Sequence, residues 1–205
     1  MPESLYRQQK ACKPRVEDVL PDVLGEDAGK ALAFVDALRD AKIRLSWTLT
    51  NQWKTVYKGR NLCRITLSSG QSWAQYRRWV VTAYLERLAD YEQTVCAEGL
   101  EEYLWKHVFY CVHKPADADP PPKLRQYAML PPCNAHGCAP GKTITVCGKT
   151  LTNICQSLTR QYFWFRDPDE KALAALLRLL TLERHAREAA AFQKRKTGGG
   201  QDAQP

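Results

Sequence analysis

Four cysteines in the carboxy-terminal half constrain the fold of this chain more than any other feature of its sequence. Cys133 and Cys138 have the spacing C-x4-C within the run Cys-Asn-Ala-His-Gly-Cys-Ala-Pro-Gly-Lys. Glycine and proline at these places are typical of a tight loop, which can aim both sulfurs at one point, as in zinc knuckles. Cys111 and Cys155 flank the loop at the ends of predicted elements. The spacing therefore predicts a structural Zn²⁺ ion bound by Cys111, Cys133, Cys138 and Cys155.

The sequence leaves two alternatives to this ligand set. His113 and His136 lie in the same segment, and a neutral imidazole can replace a thiolate on zinc. Core thiols or redox-active thiols are the alternative to zinc for all four cysteines. For the other cysteines of the chain we expect small, buried, reduced thiols; these are Cys12, Cys63, Cys96 and Cys147. If zinc binds, it contributes on the order of 10 kcal/mol to the folding of this half.

Composition indicates a globular chain. Hydrophobic residues make up 44% of the 205 residues and charged residues 25%, which excludes a largely disordered protein. There is no apolar run of membrane length, and the first residues lack the apolar core of a signal peptide. We therefore expect a cytoplasmic protein with no membrane partner. Disulfides are rare in that compartment, which favours metal binding as the role of clustered cysteines.

Positive charge is concentrated in the cysteine-rich segment. The formal net charge is +8, and residues 111–166 hold seven basic and two acidic side chains together with five of the eight cysteines. Lysine and arginine near a zinc site are one footprint of nucleic-acid binding. They can equally offset the negative charge of four thiolates around one Zn²⁺ ion. The charge therefore keeps nucleic acid among the candidate partners.

Two regions are predicted in the first half of the chain. Residues 1–25 carry three prolines and little periodicity, so we expect an irregular amino-terminal arm. Residues 26–96 form an α+β sheet region, which begins with a helix capped by Asp27 and ending near Lys42.

The elements of this sheet region follow from its periodicity. Alternating apolar residues predict antiparallel strands over 43–49, 53–57 and 62–67, with a tight hairpin turn at 58–61. A further strand is expected near 71–79. Apolar residues spaced by three or four then predict helices over 80–95 and 97–108.

The second half is predicted to be a cysteine-rich, zinc-stabilised helical region over residues 97–193. A proline-rich loop insertion at 114–132 interrupts it, and the role of this loop is open. We expect a strand at 143–146, a short helix at 151–158, and a long terminal helix from the Asp167-Pro168-Asp169-Glu170 start to Phe192. Residues 194–205 are predicted to be a disordered tail. The predicted fold class is therefore α+β: a small antiparallel sheet packed by helices, joined to this helical half.

Short motifs spread over residues 98–187 carry a family resemblance. In order along the chain they are Glu98 to Trp105, Cys111, Cys138-Ala-Pro-Gly-Lys142, Gly148-Lys149, Cys155 and Asp167-Pro-Asp169. This arrangement resembles a family of uncharacterised bacterial proteins, and Trp53-Lys54 and Lys58-Gly59-Arg60 upstream also look similar. The chain departs from that pattern by the insertion after Cys111. The resemblance implies a cysteine metal site and no assigned activity.

Aromatic and basic residues alternate in the sheet region and indicate a binding surface. Rings on an exposed sheet can stack on bases or hold a small ligand, while cations hold phosphates. The candidate ligand-binding residues are Trp47, Trp53, Tyr57, Arg64 and Trp73. The alternative is that many of these rings are core residues, since a small sheet packed by helices needs large apolar groups.

No catalytic constellation is recognisable. The chain has no GxSxG, HExxH or P-loop motif, and a closed four-thiolate site leaves zinc no open position for catalysis. We therefore expect a non-enzymatic binding module for an unknown small molecule or macromolecule. The alternatives are a nucleic-acid-binding module and a thiol-redox or zinc-dependent enzyme, the latter requiring an exposed cysteine of low pKa.

Overall fold

The computed structural model describes residues 5–67, 78–108, 142–154 and 163–198. Within these residues the chain has an α+β fold, in which helices pack on a small antiparallel sheet. None of the helices in the described ranges combines the length and the apolar character needed to cross a bilayer.

The helices and strands alternate irregularly along the chain. The helices are α1 (Leu5–Cys12), α2 (Val16–Leu24), α3 (Ala28–Asp40), α4 (Glu92–Ala97), α5 (Glu101–Lys106) and α6 (Glu170–Gly198). The strands are β1 (Ser46–Leu49), β2 (Gln52–Tyr57), β3 (Arg60–Leu67), β4 (Trp79–Ala83), β5 (Lys142–Val146), β6 (Lys149–Ile154) and β7 (Phe163–Arg166).

Five of the described strands form one sheet in the order β1-β2-β3-β4-β7, with every neighbouring pair antiparallel. A row of direct cross-strand partners runs through Trp53, Ile65, Val81 and Phe165, and all four side chains are buried. Because side chains alternate between the two faces of a strand, this row marks the apolar face of the sheet. Strands β5 and β6 form a separate hairpin.

The apolar face of the sheet and the helices share one hydrophobic core. Helix α2 contributes Val16, Leu20 and Leu24, which the four-residue spacing places on one face of the helix. Helix α6 contributes the buried leucines Leu176 and Leu180 in the same way. Each fully buried leucine or valine stabilises the fold by roughly 1.5–3 kcal/mol through removal from water, so the long α6 is a principal part of the core.

The prediction of an irregular arm at 1–25 is wrong over the two stretches that the structure describes as helices. Residues 5–12 and 16–24 form helices α1 and α2, and α2 lies in the core. Pro21 lies inside α2 beyond its first turn, where it removes one helical hydrogen bond, yet the helix continues to Leu24. Pro14 lies between the two helices and Pro21 inside the second, so neither of these prolines prevents helix formation here.

The predicted helix at 80–95 is also wrong in its first part. Residues 79–83 form β4, and all five of its residues are buried. A strand that is covered on both faces does not alternate between apolar and polar residues. The sequence around Val80-Val81 therefore has no periodicity that would distinguish a buried strand from a buried helix. The predicted strand near 71–79 overlaps β4 at Trp79, and residues 71–77 lie outside the described residues.

The hairpin and helices around the sheet match the sequence more closely. Strands β1 to β3, helix α3 and the turn at Lys58-Gly59 confirm the elements predicted for residues 27–67. Asp27 lies at the start of α3, but its side chain makes no capping hydrogen bond and pairs with Lys30 and Arg78. Lys58 and Gly59 both have positive φ values, as a tight hairpin turn of this length requires. Gly99, also at positive φ, separates α4 from α5. The second predicted helix is therefore shorter than expected.

Three corrections concern the end of the chain. The predicted helix at 151–158 is replaced, as far as Ile154, by strand β6, and strand β7 was not predicted. The terminal helix is confirmed, but it begins at Glu170, where Asp169 caps it by accepting from the amide of Ala172 at 2.7 Å. It continues to Gly198, so the disordered tail is wrong over residues 194–198.

Candidate ligand-binding groove

The predicted zinc ligands cannot be placed. Cys111, Cys133, Cys138 and Cys155 all lie outside the described residues, as do the alternative ligands His113 and His136 and the predicted ligand-binding residue Trp73. The zinc site therefore stays a prediction from the sequence.

The structure separates the other four predicted ligand-binding residues. Trp47 and Trp53 are direct cross-strand partners and share the apolar face of the sheet. Tyr57 also packs against the core, and its hydroxyl donates to Glu188 of α6. Arg64 alternates with the buried Cys63 and Ile65 along β3, so it lies on the opposite face. No single face of the sheet holds all four side chains.

Two of these residues line a groove at the edge of the sheet. The groove has a volume of about 660 Å³ and lies where the α1–α2 connection and the end of α3 meet β1 and β2. Its lining residues are Lys13 to Glu17, Val35, Arg39, Ile43 to Trp47, and Trp53. This volume is within the range of roughly 300–1,000 Å³ that is usual for small-molecule sites.

The floor of the groove is apolar and rigid. Val16, Val35, Ile43 and Trp53 are all buried, and Trp53 is only 1% exposed. The indole of Trp53 donates from Nε1 to the backbone carbonyl of Pro14 at 2.8 Å, which ties the α1–α2 connection to the sheet. Because its polar atom is satisfied, Trp53 presents only ring carbon to the groove.

Trp47 forms the wall of the groove on the edge strand. It is half-buried, and its Nε1 donates to Gln9 Oε1 at 3.3 Å. The same Gln9 oxygen accepts from the backbone amide of Asn51 at 2.7 Å, and Gln9 Nε2 donates to Asn51 Oδ1 at 2.6 Å. One side chain of α1 therefore holds both the indole and the turn between β1 and β2 in place.

The rim of the groove is basic. Arg15 and Arg39 are neutralised in part because both pair with Glu17. Partial burial raises the pKa of Glu17, but the hydrogen bond from Arg15 and the charges of Arg15 and Arg39 outweigh it and lower the pKa overall. Lys13 and Arg44 are exposed and form no ion pair within the described part of the chain. The rim thus offers two cations to a ligand.

This arrangement suits binding more than catalysis. The lining has one carboxylate, Glu17, which is already paired, one hydroxyl, Ser46, and no histidine or cysteine among the described residues. An apolar slot with aromatic sides and free cations at its rim can hold an apolar body and an anionic group together. The rim cations were not predicted as site residues, although Lys42-Ile43-Arg44 is a short basic segment where the predicted first helix meets the predicted first strand. Lys13 and Arg15 lie in the arm that was predicted to be irregular.

The cysteines that the structure describes correct one prediction. Cys63 is buried and free, and burial raises its pKa to about 12, so it is the inert core thiol that was expected. Cys12 is free but exposed. Cys96 and Cys147 are joined in a disulfide with a Cα–Cα distance of 5.6 Å. The prediction of buried reduced thiols is therefore wrong for Cys12, Cys96 and Cys147.

Comparison with known proteins adds no constraint to this geometry. No family model, curated protein or solved structure matches the chain. The resemblance to an uncharacterised bacterial family stays a prediction, and the function has to be argued from the groove itself.

Proposed function

We propose that this chain is a non-enzymatic, cytoplasmic binding protein whose groove takes an organic anion with an apolar body, such as an aromatic carboxylate. The observation that carries the proposal is the placement of Trp47 and the buried Trp53 beside two exposed cations, Lys13 and Arg44. The exposed part of the Trp47 ring removes part of the apolar body from water, which contributes roughly 25 cal/mol per Å² of buried area, while Trp53 packs directly behind the surface of the groove. The cations fix the end of the ligand that carries the charge.

The charge of the groove selects among ligand classes. Four cations and one carboxylate line it, so a cationic ligand meets net repulsion at the rim. A hydrogen bond from a guanidinium to a carboxylate contributes about 1.5–3 kcal/mol, which corresponds to about tenfold or more in affinity. We therefore expect the anion to bind at least about tenfold more tightly than a neutral analogue of the same shape.

Fluorescence titration with three matched probes tests this proposal. The probes are 2-naphthoate, its neutral amide and the corresponding naphthylmethylammonium cation, which differ chiefly in charge. We expect the carboxylate to bind best. Arg44→Ala should weaken the carboxylate alone, whereas Trp47→Ala should weaken all three. Lys58→Ala, which removes one positive charge at the β2–β3 turn away from the groove, is the matched control. Equal affinity for the three probes, or an equal effect of Lys58→Ala, would contradict the proposal.

Nucleic-acid binding is the second candidate, and the net charge of +8 together with the basic rim favours it. A single-stranded oligonucleotide could stack a base on Trp47 while its phosphates meet Lys13 and Arg44. Its affinity would then fall steeply between about 50 and about 200 mM salt. Titration with a labelled oligonucleotide at both salt concentrations decides between the candidates, because a small carboxylate has a much weaker salt dependence.

The proposal also includes a structural Zn²⁺ ion on Cys111, Cys133, Cys138 and Cys155, for which the spacing of these cysteines in the sequence is the support. Elemental analysis of the purified protein should find about one zinc per chain bound at these residues. The Cys138→Ser variant should lose that zinc and the folding of the surrounding segment. Wild-type zinc retained in full by this variant would remove Cys138 from the ligand set.

A further inference from the structure

A carboxylate lies against the disulfide that joins α4 to the β5–β6 hairpin. Glu92 on the first turn of α4, Cys96 near its end and Cys147 in the hairpin turn each offer a ligand atom, and these atoms all lie within 4.8 Å of one another. Glu92 Oε1 accepts from the backbone amide of Cys147 at 2.6 Å. This hydrogen bond holds the carboxylate beside the sulfurs and leaves its second oxygen available.

The three donors fit the requirements of a thiophilic divalent cation. Zinc takes thiolate and carboxylate ligands in a tetrahedral arrangement, with Zn–S distances of about 2.3 Å, so two bound sulfurs lie about 3.8 Å apart. Cα atoms 5.6 Å apart allow two cysteine side chains to reach that separation by rotation about their Cα–Cβ bonds. Three protein ligands then leave one position for water, as in exchangeable zinc sites.

Solvent has access to these residues. An open depression of about 570 Å³ runs along α4, and Glu92 and Cys96 are among its lining residues. A dithiol reductant or a hydrated cation can therefore approach the pair from this side. The site is also separate from the proposed zinc ligands, since it uses none of Cys111, Cys133, Cys138 or Cys155.

We infer that Glu92, Cys96 and Cys147 form a redox-controlled metal site, which holds a divalent cation such as Zn²⁺ when the two cysteines are reduced and a disulfide when they are oxidised. A dithiol reductant transfers two electrons and two protons to the disulfide, giving two thiols and the oxidised, cyclic form of the reductant. Zinc binding then forms two Zn–S bonds and releases the two thiol protons to solvent. A small-molecule disulfide then reverses the exchange: it takes two electrons from the two bound thiolates and two protons from solvent, the Cys96–Cys147 bond forms again, and the cation is released.

The two forms share a structural consequence. Hairpin β5–β6 lies outside the five-stranded sheet, and the Cys147 turn joins it to α4. A cation between Cys96 and Cys147 replaces one cross-link by another, so the hairpin stays attached in both forms. Only the reduced, metal-free protein lacks this link. Under reducing conditions, the attachment of the hairpin to α4 therefore depends on the concentration of free metal ion.

Metal binding by the reduced, full-length protein tests the inference. The wild type, the Cys96→Ser/Cys147→Ser double variant, Glu92→Gln and the control Cys12→Ser are each reduced with a dithiol, exchanged into metal-free buffer and titrated with Co²⁺ and Zn²⁺. We expect the wild type and Cys12→Ser to bind one more ion per chain than the double variant. Their sulfur-to-cobalt charge-transfer absorption should exceed that of the double variant, which keeps only the proposed four-cysteine site.

Glu92→Gln separates a metal ligand from a merely structural carboxylate. The amide oxygen of glutamine can still accept a hydrogen bond from the Cys147 amide, so the fold is retained. The affinity for Zn²⁺ should nevertheless fall by at least about tenfold, because replacing even a residue that only hydrogen-bonds a metal ligand typically lowers metal affinity by that factor. Oxidation of the loaded wild type should release one ion per chain. Equal metal content in the wild type and the double variant, an unchanged affinity in Glu92→Gln, or a disulfide that a dithiol cannot reduce in the folded protein would overturn the inference.

Discussion

Glu183 and Arg187, one turn apart on α6, form a buried ion pair in which both groups have several further partners. Glu183 is 0% exposed, and it accepts from Arg187 Nε at 2.7 Å, from the Tyr91 hydroxyl at 2.9 Å and from the backbone amide of Arg87. Burial, followed by the charge of Glu183, raises the pKa of Tyr91 well above its usual value. The guanidinium of Arg187 donates to three backbone carbonyl oxygens, those of Arg60, Asn61 and Tyr84.

Loss of one partner of this pair should be strongly destabilising. Glu183→Ala leaves the guanidinium of Arg187 buried without a countercharge, and we expect the free energy of unfolding to fall by about 3–5 kcal/mol in denaturant titration. The Glu98–Arg178 pair, also formed with α6, is the control because both of its side chains are exposed by more than a third. Glu98→Ala should cost less than about 1 kcal/mol. Equal costs for the two variants would show that burial does not set the contribution of the Glu183 pair.

His107 makes stability depend on pH in a defined window. Burial lowers its pKa from 6.5 to about 4, against the smaller opposing effect of the hydrogen bond with the Trp164 carbonyl. The unfolded chain therefore takes up a proton below pH 6.5 that the folded chain does not. This contribution to stability is complete above pH 6.5 and is lost as pH falls toward 4, by up to about 1.4 kcal/mol per pH unit.

The His107→Phe variant isolates this effect. Phenylalanine keeps a ring against Phe165, on which the imidazole stacks at a centroid distance of 4.2 Å, but it does not titrate. Denaturant titrations at pH 7 and pH 5 should show a smaller loss of stability in the variant than in the wild type. An identical loss in both proteins would mean that His107 binds its proton equally in the folded and unfolded states.

At the scale of elements, α1 is held to the sheet by Gln9, which is only 6% exposed. Its amide group binds Trp47 and Asn51, so α1 fixes the edge of the sheet where the groove lies. Asn51 has a φ of +54°, a conformation that asparagine tolerates better than most residues and that the turn requires. The amino-terminal helix thus supports the candidate site without lining it.

Gln9→Ala should therefore affect stability and binding together. The buried side chain and backbone amide of Asn51 lose their hydrogen bonds with Gln9, at a cost of about 1–3 kcal/mol. Trp47 loses the hydrogen bond that orients it, so the affinity for 2-naphthoate should fall as well. Gln8→Ala, an exposed glutamine on the same helix, is the control. If Gln9→Ala is destabilised but binds 2-naphthoate with unchanged affinity, α1 does not support the groove.

The β5–β6 hairpin should depend on its disulfide. The bond closes a loop with a sequence separation of 51 residues, for which loop-closure entropy predicts a stabilisation of about 4 kcal/mol. In metal-free oxidising buffer, Cys147→Ser should lower the unfolding temperature and accelerate hydrogen exchange of the β5 and β6 amides. Cys12→Ser should do neither. Unchanged exchange in the hairpin would show that its apolar contacts suffice to hold it.

The elements that the sequence predicts are those with one solvent-exposed side. Strands β2 and β3 alternate because only one of their faces is buried in the core, and α6 carries a leucine stripe behind an aspartate-proline start. Strands β4 and β7 were missed because β4 is buried on both faces and β7 is four residues long. The groove was half predicted. Trp47 and Trp53 follow from composition, but Lys13 and Arg44 join them only after α1, α3 and β1 have packed.

At the scale of the whole molecule, the burial of the two faces of the sheet favours the groove over a sheet face as the binding site. The apolar face of the sheet packs into the core, and on the other face Val80 and Thr82 of the interior strand β4 are also buried. Neither face is therefore an open aromatic platform over the described strands. The groove at the β1 edge is where ring surface and exposed cations meet, and a ligand bound there would contact α3, the α1–α2 connection and the sheet at once. Ligand binding should then raise the unfolding temperature, and the rise should grow with the logarithm of the free ligand concentration above Kd.

The most direct test is to map backbone amide chemical shifts of the labelled protein during titration with 2-naphthoate. The groove predicts perturbations clustered at Lys13 to Glu17 and Ile43 to Trp47, which disappear in the Trp47→Ala variant. Perturbations clustered instead at Arg64, Thr82 and Trp164, on the opposite face of the sheet, or no saturable perturbation with 2-naphthoate, would contradict the assignment of the groove as the binding site.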